Sequence, residues 1–346
     1  MTDKTGSEET SCNRSSVTNQ TEGDNSTCFD QIDSTVQPLF IVIYSLVFLV
    51  GLLLNCCIIK FYLCQAQQRQ SSSILVYLKN LAAADLLHCL SLPLRITKHI
   101  GRSDTILQVY CKFGASTFYV NIYVSILFMG YIAANSCHLR FVSPLSRFLK
   151  IVHPLGTHIL QTVKGAHILS VVTWVFFLSL KIVYIIMSFT KDTVPTPVSN
   201  MVDCECLHGS RLTVLYKIMH SCCIALFLLV LVSLLFFYYK IGHQVLLAQQ
   251  RQPASSCSKK LEKSRSKMLV LVGVFCFCFF PYHLVRGLHI FLWTNCSLSK
   301  AVFYLKELSI AMSILNICLD PIIYFIYCKA FRTQLGMTSL RHHRRE

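Results

Sequence analysis

Seven apolar segments, each long enough to cross a lipid bilayer, constrain this chain more than any other feature. Their cores run over 38–64, 74–99, 111–139, 166–189, 212–240, 268–293 and 299–327, with polar stretches between them. About 20 apolar residues make a helix that spans the hydrocarbon core. Inside lipid the backbone must satisfy its own hydrogen bonds, and a helix does so within one segment. Hydrophobic residues make up 53 % of the 346 residues and charged ones only 14 %. Mean hydropathy is +0.53. A soluble core of this length cannot hide that much apolar surface. The expected fold is therefore all-α, a seven-transmembrane helix bundle, which excludes a soluble enzyme, a disulfide-stapled mini-protein and a disordered tail protein.

Three regions follow. Residues 1–37 form a polar tail in which seven acids (Asp3, Glu8, Glu9, Glu22, Asp24, Asp30 and Asp33) outnumber Lys4 and Arg14. Residues 38–327 form the bundle, and residues 328–346 a short tail beginning with a surface helix. No basic stretch followed by an apolar run opens the chain, so no cleaved signal peptide is expected. The connections after the first, third and fifth segments, and the tail, hold the basic residues: Arg69; Arg140, Arg147, Lys150 and Lys164; Arg251 and Lys259 to Lys267; Lys329 to Arg345. Cytoplasmic loops carry such an excess, so the N-terminus is expected outside and the C-terminus inside. The net charge of +16 then points to a bilayer and not to nucleic acid. Four glycosylation sequons, at Asn13, Asn19, Asn25 and Asn295, all fall on the outer side. Six of the 18 cysteines lie there too: Cys12, Cys28, Cys111, Cys204, Cys206 and Cys296. Spacing alone leaves their pairing open.

Polar residues inside a span need a reason. Asn55, Asp85, Ser125, Asn316 and Asp320 all sit within apolar segments. The two acids are expected to face the bundle interior. One reading is a structural knot of hydrogen bonds between helices. The other is a sodium site formed by Asp85, Ser125, Asn316 and Asp320.

Six motifs in order then carry a resemblance. Gly51-Leu-Leu-Leu-Asn55, Leu81-Ala-Ala-Ala-Asp85, Cys111 opening the third span, Trp174 in the fourth, Cys278-Phe-Phe-Pro281 and Asn316-Ile-Cys-Leu-Asp320-Pro321-Ile-Ile-Tyr324 resemble the marks of rhodopsin-like G-protein-coupled receptors. Phe118-Tyr119, Tyr123-x-Ser125, Phe280-Pro-Tyr-His283-x-x-Arg286 and Tyr304-Leu-Lys306-Glu307 are similar to purinergic nucleotide receptors, nearest the branch for ADP and UDP-sugars with its orphan relatives. Lysophospholipid receptors share several of these strings. The resemblance implies a plasma-membrane receptor with no cofactor, partnered by a heterotrimeric G protein of the inhibitory class.

Charge at the outer end points to the ligand. His283 and Arg286 share one face of the sixth span, just outward of Pro281. Lys306 lies one turn into the seventh span; Arg95 and Lys98 end the second, and Lys181 lies in the fourth. Arginine grips phosphate or carboxylate through a bidentate fork, and lysine adds a point charge. An extracellular anionic small molecule is expected, with Tyr119 and Tyr123 offering aromatic faces for a nucleobase or an acyl chain. The branch adds Tyr216 and His220 from the fifth span. Against this, Arg286 could pair with Glu307, and Arg95 and Lys98 could reach out to headgroups. The family's outer bridge implies Cys111–Cys204, and the branch's second bridge implies Cys28–Cys296.

The chain also departs from the family. The fourth span lacks the usual outer proline. The Asp-Arg-Tyr motif reads Asn135-Ser136-Cys137. The G-protein face is expected at Asn135, Ser136, Arg140, Tyr238 and Tyr324. Without the arginine, a weakly coupling or decoy receptor stands beside the signalling one. An enzyme finds no support: there is no nucleophile elbow and no cluster of metal-ligand residues.

Overall fold

The computed structural model describes residues 37–65, 72–100, 104–152, 160, 162–189, 204, 210–251, 256–292, 299–328 and 331–333. Within helix 104–152 the side chains of 137–152 lie outside the description. The helices are α1 (Gln37–Gln65), α2 (Ser73–Ile100), α3 (Asp104–Val109), a π turn (Tyr110–Gly114), α4 (Ala115–Val152), α5 (Val163–Phe189), α6 (Ser210–Arg251), α7 (Ser256–Leu292), α8 (Ser299–Ile314) and α9 (Asn316–Tyr327). Seven spans result, because α3, the π turn and α4 form the third and α8 with α9 the seventh. All are long and apolar enough to cross a membrane. Two spans outrun their apolar cores. The fifth continues to Gln250 and the sixth starts at Ser258, because lysine, glutamate and glutamine sustain a helix after lipid ends.

One helix-breaking residue in the spans, Pro321, is compensated by a neighbour. Pro321 has no N–H, so the carbonyl of Ile317 loses its helical donor. The Asn55 amide from α1 donates to that carbonyl at 3.2 Å and to the Gly51 carbonyl at 2.9 Å. Gly51 permits the approach: a Cβ there would lie 2.6 Å from Ile317 Cγ2. A second tie joins the second and fourth spans. Trp174 Nε1 donates to Asn80 Oδ1 at 3.0 Å, and Asn80 Nδ2 to Ser170 Oγ at 3.1 Å. Helix α5, which lacks the outer proline, runs unbroken. Its outward residues, such as Ile168, Val175 and Ile186, are about 60 % exposed, as a lipid-facing wall requires.

Cys111, in the π turn, is bonded to Cys204. This gives one end of the bundle a landmark, the disulfide end. The sequons Asn13, Asn19, Asn25 and Asn295, the second bridge Cys28–Cys296, and the side chain of Arg140 lie outside the described residues.

Candidate functional site

Arg286 is the centre of the disulfide end. It is buried, and its guanidinium lies between aromatic residues of two other spans. One nitrogen stands 3.4 Å from the Tyr119 hydroxyl, to which it donates, and 3.2 Å from His220 Nε2. The guanidinium carbon sits 4.8 Å from the centre of the Tyr216 ring and 5.7 Å from that of Tyr119. His220 meets both tyrosine rings edge-on, at 4.3 and 4.7 Å. Four of the six expected ligand residues thus converge, from the third, fifth and sixth spans. Lys306 joins them across a cavity of about 250 Å³, lined by Tyr119, Tyr282, Arg286, His289, Lys306 and Ser309 among others. His283 lies apart. It is buried one turn deeper, its ring stacked on Phe227 at 4.0 Å and its Nδ1 2.8 Å from the Phe279 carbonyl. Neither cavity of this end has it in its wall.

A larger cavity, about 500 Å³, adjoins the first and shares Tyr119 with it. Its walls come from the third, fourth and fifth spans. Tyr123 and Lys181 are among them.

Glu307 does not pair with Arg286. It is held by Arg95, at 2.6 Å, with side chains 4 % and 2 % exposed. The same carboxylate accepts from the Tyr44 hydroxyl at 2.8 Å, while Lys98 and His99 stand 3.9 and 3.6 Å away. Arg95 also donates to the Tyr110 hydroxyl at 2.7 Å. Arg95 therefore does not reach out to headgroups; it ties the second span to the seventh and third. The physical reason is that Glu307 is itself buried, and a buried acid requires a cation beside it.

Mid-bundle, Asp85, Asn316 and Asp320 lie together as buried polar groups in want of partners. Asp85 and Asp320 are buried and lie near enough to interact directly. Asp320 accepts from Asn316 Nδ2 at 2.9 Å. Both oxygens of Asp85, the other oxygen of Asp320 and the Asn316 carbonyl oxygen have no hydrogen-bond donor among the described residues. Ser125 is buried on the third span. Sequence reasoning passed over Asn121, one turn earlier on the same helix face. It is buried, and neither amide atom has a partner among the described residues. Its four-residue spacing from Ser125 was the available signal.

At the opposite end Asn135 is fully buried. Its amide donates to Ser73 Oγ at 2.6 Å and to the Leu160 carbonyl at 3.0 Å, and the Tyr77 hydroxyl donates to the same carbonyl at 3.1 Å. Ser136 turns back on its own helix, donating to the Ile132 carbonyl at 2.7 Å. Tyr324 is buried against Tyr62, and Tyr238 lies 5.9 Å from the Arg265 guanidinium. Of the expected G-protein face, Asn135 thus serves as an internal tie.

Comparison with known proteins agrees with this architecture. Residues 54–324 match the family model described as 7 transmembrane receptor (rhodopsin family). The chain belongs to the rhodopsin family of seven-transmembrane receptors. It is thus a receptor and not an enzyme, a multi-pass protein of a family typical of the plasma membrane. The receptor is 32 % identical to mouse G-protein coupled receptor 87 over 332 residues, covering 93 % of this chain and 85 % of that one. It is 32 % identical to bovine purinoceptor 14 over 301 residues, covering 85 % and 83 %. Human purinoceptor 13 is 31 % identical over 305 residues, covering 87 % and 81 %. Membership implies coupling to a G protein and a ligand that governs it.

Proposed function

We propose that this receptor binds an extracellular ligand through an anionic group held by Arg286 with help from Lys306, and that it signals through an inhibitory G protein. The observation that carries this reading is the convergence of Tyr119, Tyr216, His220 and Arg286 beside a cavity that Lys306 also lines. A guanidinium packed on rings and an imidazole keeps its charge, and its fork suits a phosphate or carboxylate. The purinoceptor names of two relatives support a nucleotide or nucleotide-sugar. The neighbouring larger cavity favours a second reading, a lysophospholipid.

Asp85, Asn121, Ser125, Asn316 and Asp320 supply oxygens that suit a small hard cation such as sodium. Its charge would offset the cost of two buried acids. These side chains would hold it between the second, third and seventh spans, so its fit would depend on how those spans stand. Ser136 weakens the output in this reading, because a hydroxyl bonded to its own helix cannot reach toward a G protein as a guanidinium does.

The test is Arg286→Ala, with receptor number at the surface held equal. Truncating one partner of a buried charge contact costs about 2–5 kcal/mol, so potency of an anionic agonist should fall more than tenfold. Unchanged potency in both Arg286→Ala and Lys306→Ala would overturn the reading.

A further inference from the structure

The larger cavity is walled by one stripe from each of three spans: Ser116 to Tyr123, Phe177 to Tyr184, and Tyr216 to Cys223. Each stripe takes positions i, i+3, i+4 and i+7. That spacing is one helix face over two turns, about 10 Å. The space against these walls, about 500 Å³ with the open solvent at its mouth counted, runs the length of the three stripes.

Most of its polar groups are turned into the protein. Ser116 Oγ lies 3.1 and 3.0 Å from the Lys112 and Phe113 carbonyls of its own span. Lys181 Nζ donates to Thr117 Oγ1 at 2.6 Å, which leaves its stem along the wall. The Tyr184 hydroxyl donates to the Cys111 carbonyl at 3.4 Å. At the far end the Tyr123 hydroxyl is buried with no hydrogen-bond partner among the described residues. What remains toward the space is mostly ring and chain carbon, from residues such as Val120, Phe177, Leu180 and Met219. A nucleobase and ribose would bring several donors and acceptors that these walls leave unmatched, each at a cost. A hydrocarbon chain brings none.

The cavity also begins at the cation. Tyr119, Tyr216 and His220 belong to its wall and touch Arg286. We propose that this cavity holds the hydrocarbon chain of a single-chain anionic lipid whose head lies on Arg286, which makes the ligand class a lysophospholipid and not a nucleotide. The proposal rests on the reading of Arg286 as the anion's holder.

The experiment measures binding to the full-length receptor in nanodiscs, using lysophosphatidic acids of graded acyl length. Glycerol phosphate serves as the bare head, and ADP and UDP-glucose as the nucleotide arms. In the native receptor each added methylene should tighten binding about fourfold until the cavity is filled, from about 0.8 kcal/mol per buried methylene. Cys223→Phe, which fills the far end, should flatten the series for the longer chains and spare the shorter ones. Met219→Trp gives the same readout should the first variant fold poorly. Arg286→Ala should weaken all chain lengths by one common factor. Glycerol phosphate binding that depends on Arg286 without any chain-length dependence would overturn the lipid proposal and leave the anion reading standing. A steep series that Arg286→Ala does not weaken would overturn the anion reading, and with it the head position. A series left intact by both cavity-filling variants would overturn the placement of the chain. Nucleotides binding more tightly than the longest lipid would overturn the ligand class.

Discussion

Replacing Glu307 by glutamine removes the one acid at the centre of Arg95, Lys98 and His99. The carboxylate and the guanidinium are 2.6 Å apart and 2 % and 4 % exposed. At an effective dielectric constant of about 20, their gross attraction is about 6 kcal/mol. Most of that offsets the loss of hydration on burial, so the pair adds little over two apolar residues. Removing one member is different, because the other stays buried and charged, at a cost of about 3–5 kcal/mol. Glutamine keeps an oxygen that accepts from Tyr44 and Arg95, so Glu307→Gln should fall near 3 kcal/mol. The double variant Arg95→Met with Glu307→Leu should lose less than the two single changes together, with a coupling of at least about 2 kcal/mol. Unfolding of the purified receptor by SDS titration in mixed micelles measures all four corners of the cycle. A Glu307→Gln loss below about 1 kcal/mol, or strict additivity in the double variant, would refute the account of a buried pair.

Other outcomes follow from the same geometry. Ser136→Arg should raise agonist-driven nucleotide exchange on a purified G protein at matched receptor numbers; strong native coupling that this change does not improve would reject the role given to Ser136. Sodium should lower agonist affinity in membranes relative to a large organic cation, and Asp85→Asn should abolish the difference; a sodium effect that survives would move the site elsewhere. Peptide mapping without reduction should recover Cys28 linked to Cys296 beside Cys111 linked to Cys204; Cys28 found as a free thiol would exclude the second bridge.

The seven spans were legible because lipid demands long apolar runs, and a run of that kind has few other uses. The Cys111–Cys204 bond was legible through family resemblance, and the structure contains it. The meeting of Arg286 with Tyr119, Tyr216 and His220 was half legible. Residue types and spacing placed each near one end, whereas their convergence depends on how three spans rotate. The Glu307 pairing was not legible, since Arg95 lies 212 residues away and Arg286 offered an equal charge. Only the placement of the second span's end beside the seventh decides between them. The three stripes of the larger cavity were hidden for another reason. In a span that is apolar all round, an inward face carries no contrast with the lipid-facing one, so the i, i+3, i+4, i+7 rows emerge only once burial is known.

The seventh span is interrupted at Leu315, whose carbonyl accepts from the N–H groups of both Cys318 and Leu319, at 3.0 and 3.1 Å. Above this residue, α8 is clamped through Glu307 to the second span; below it, α9 is held by the Asn55 amide of the first. The last span is therefore moored to a different neighbour on each side of Leu315, so the loss of the Glu307 clamp and the loss of the Asn55 tie would loosen different halves of one helix.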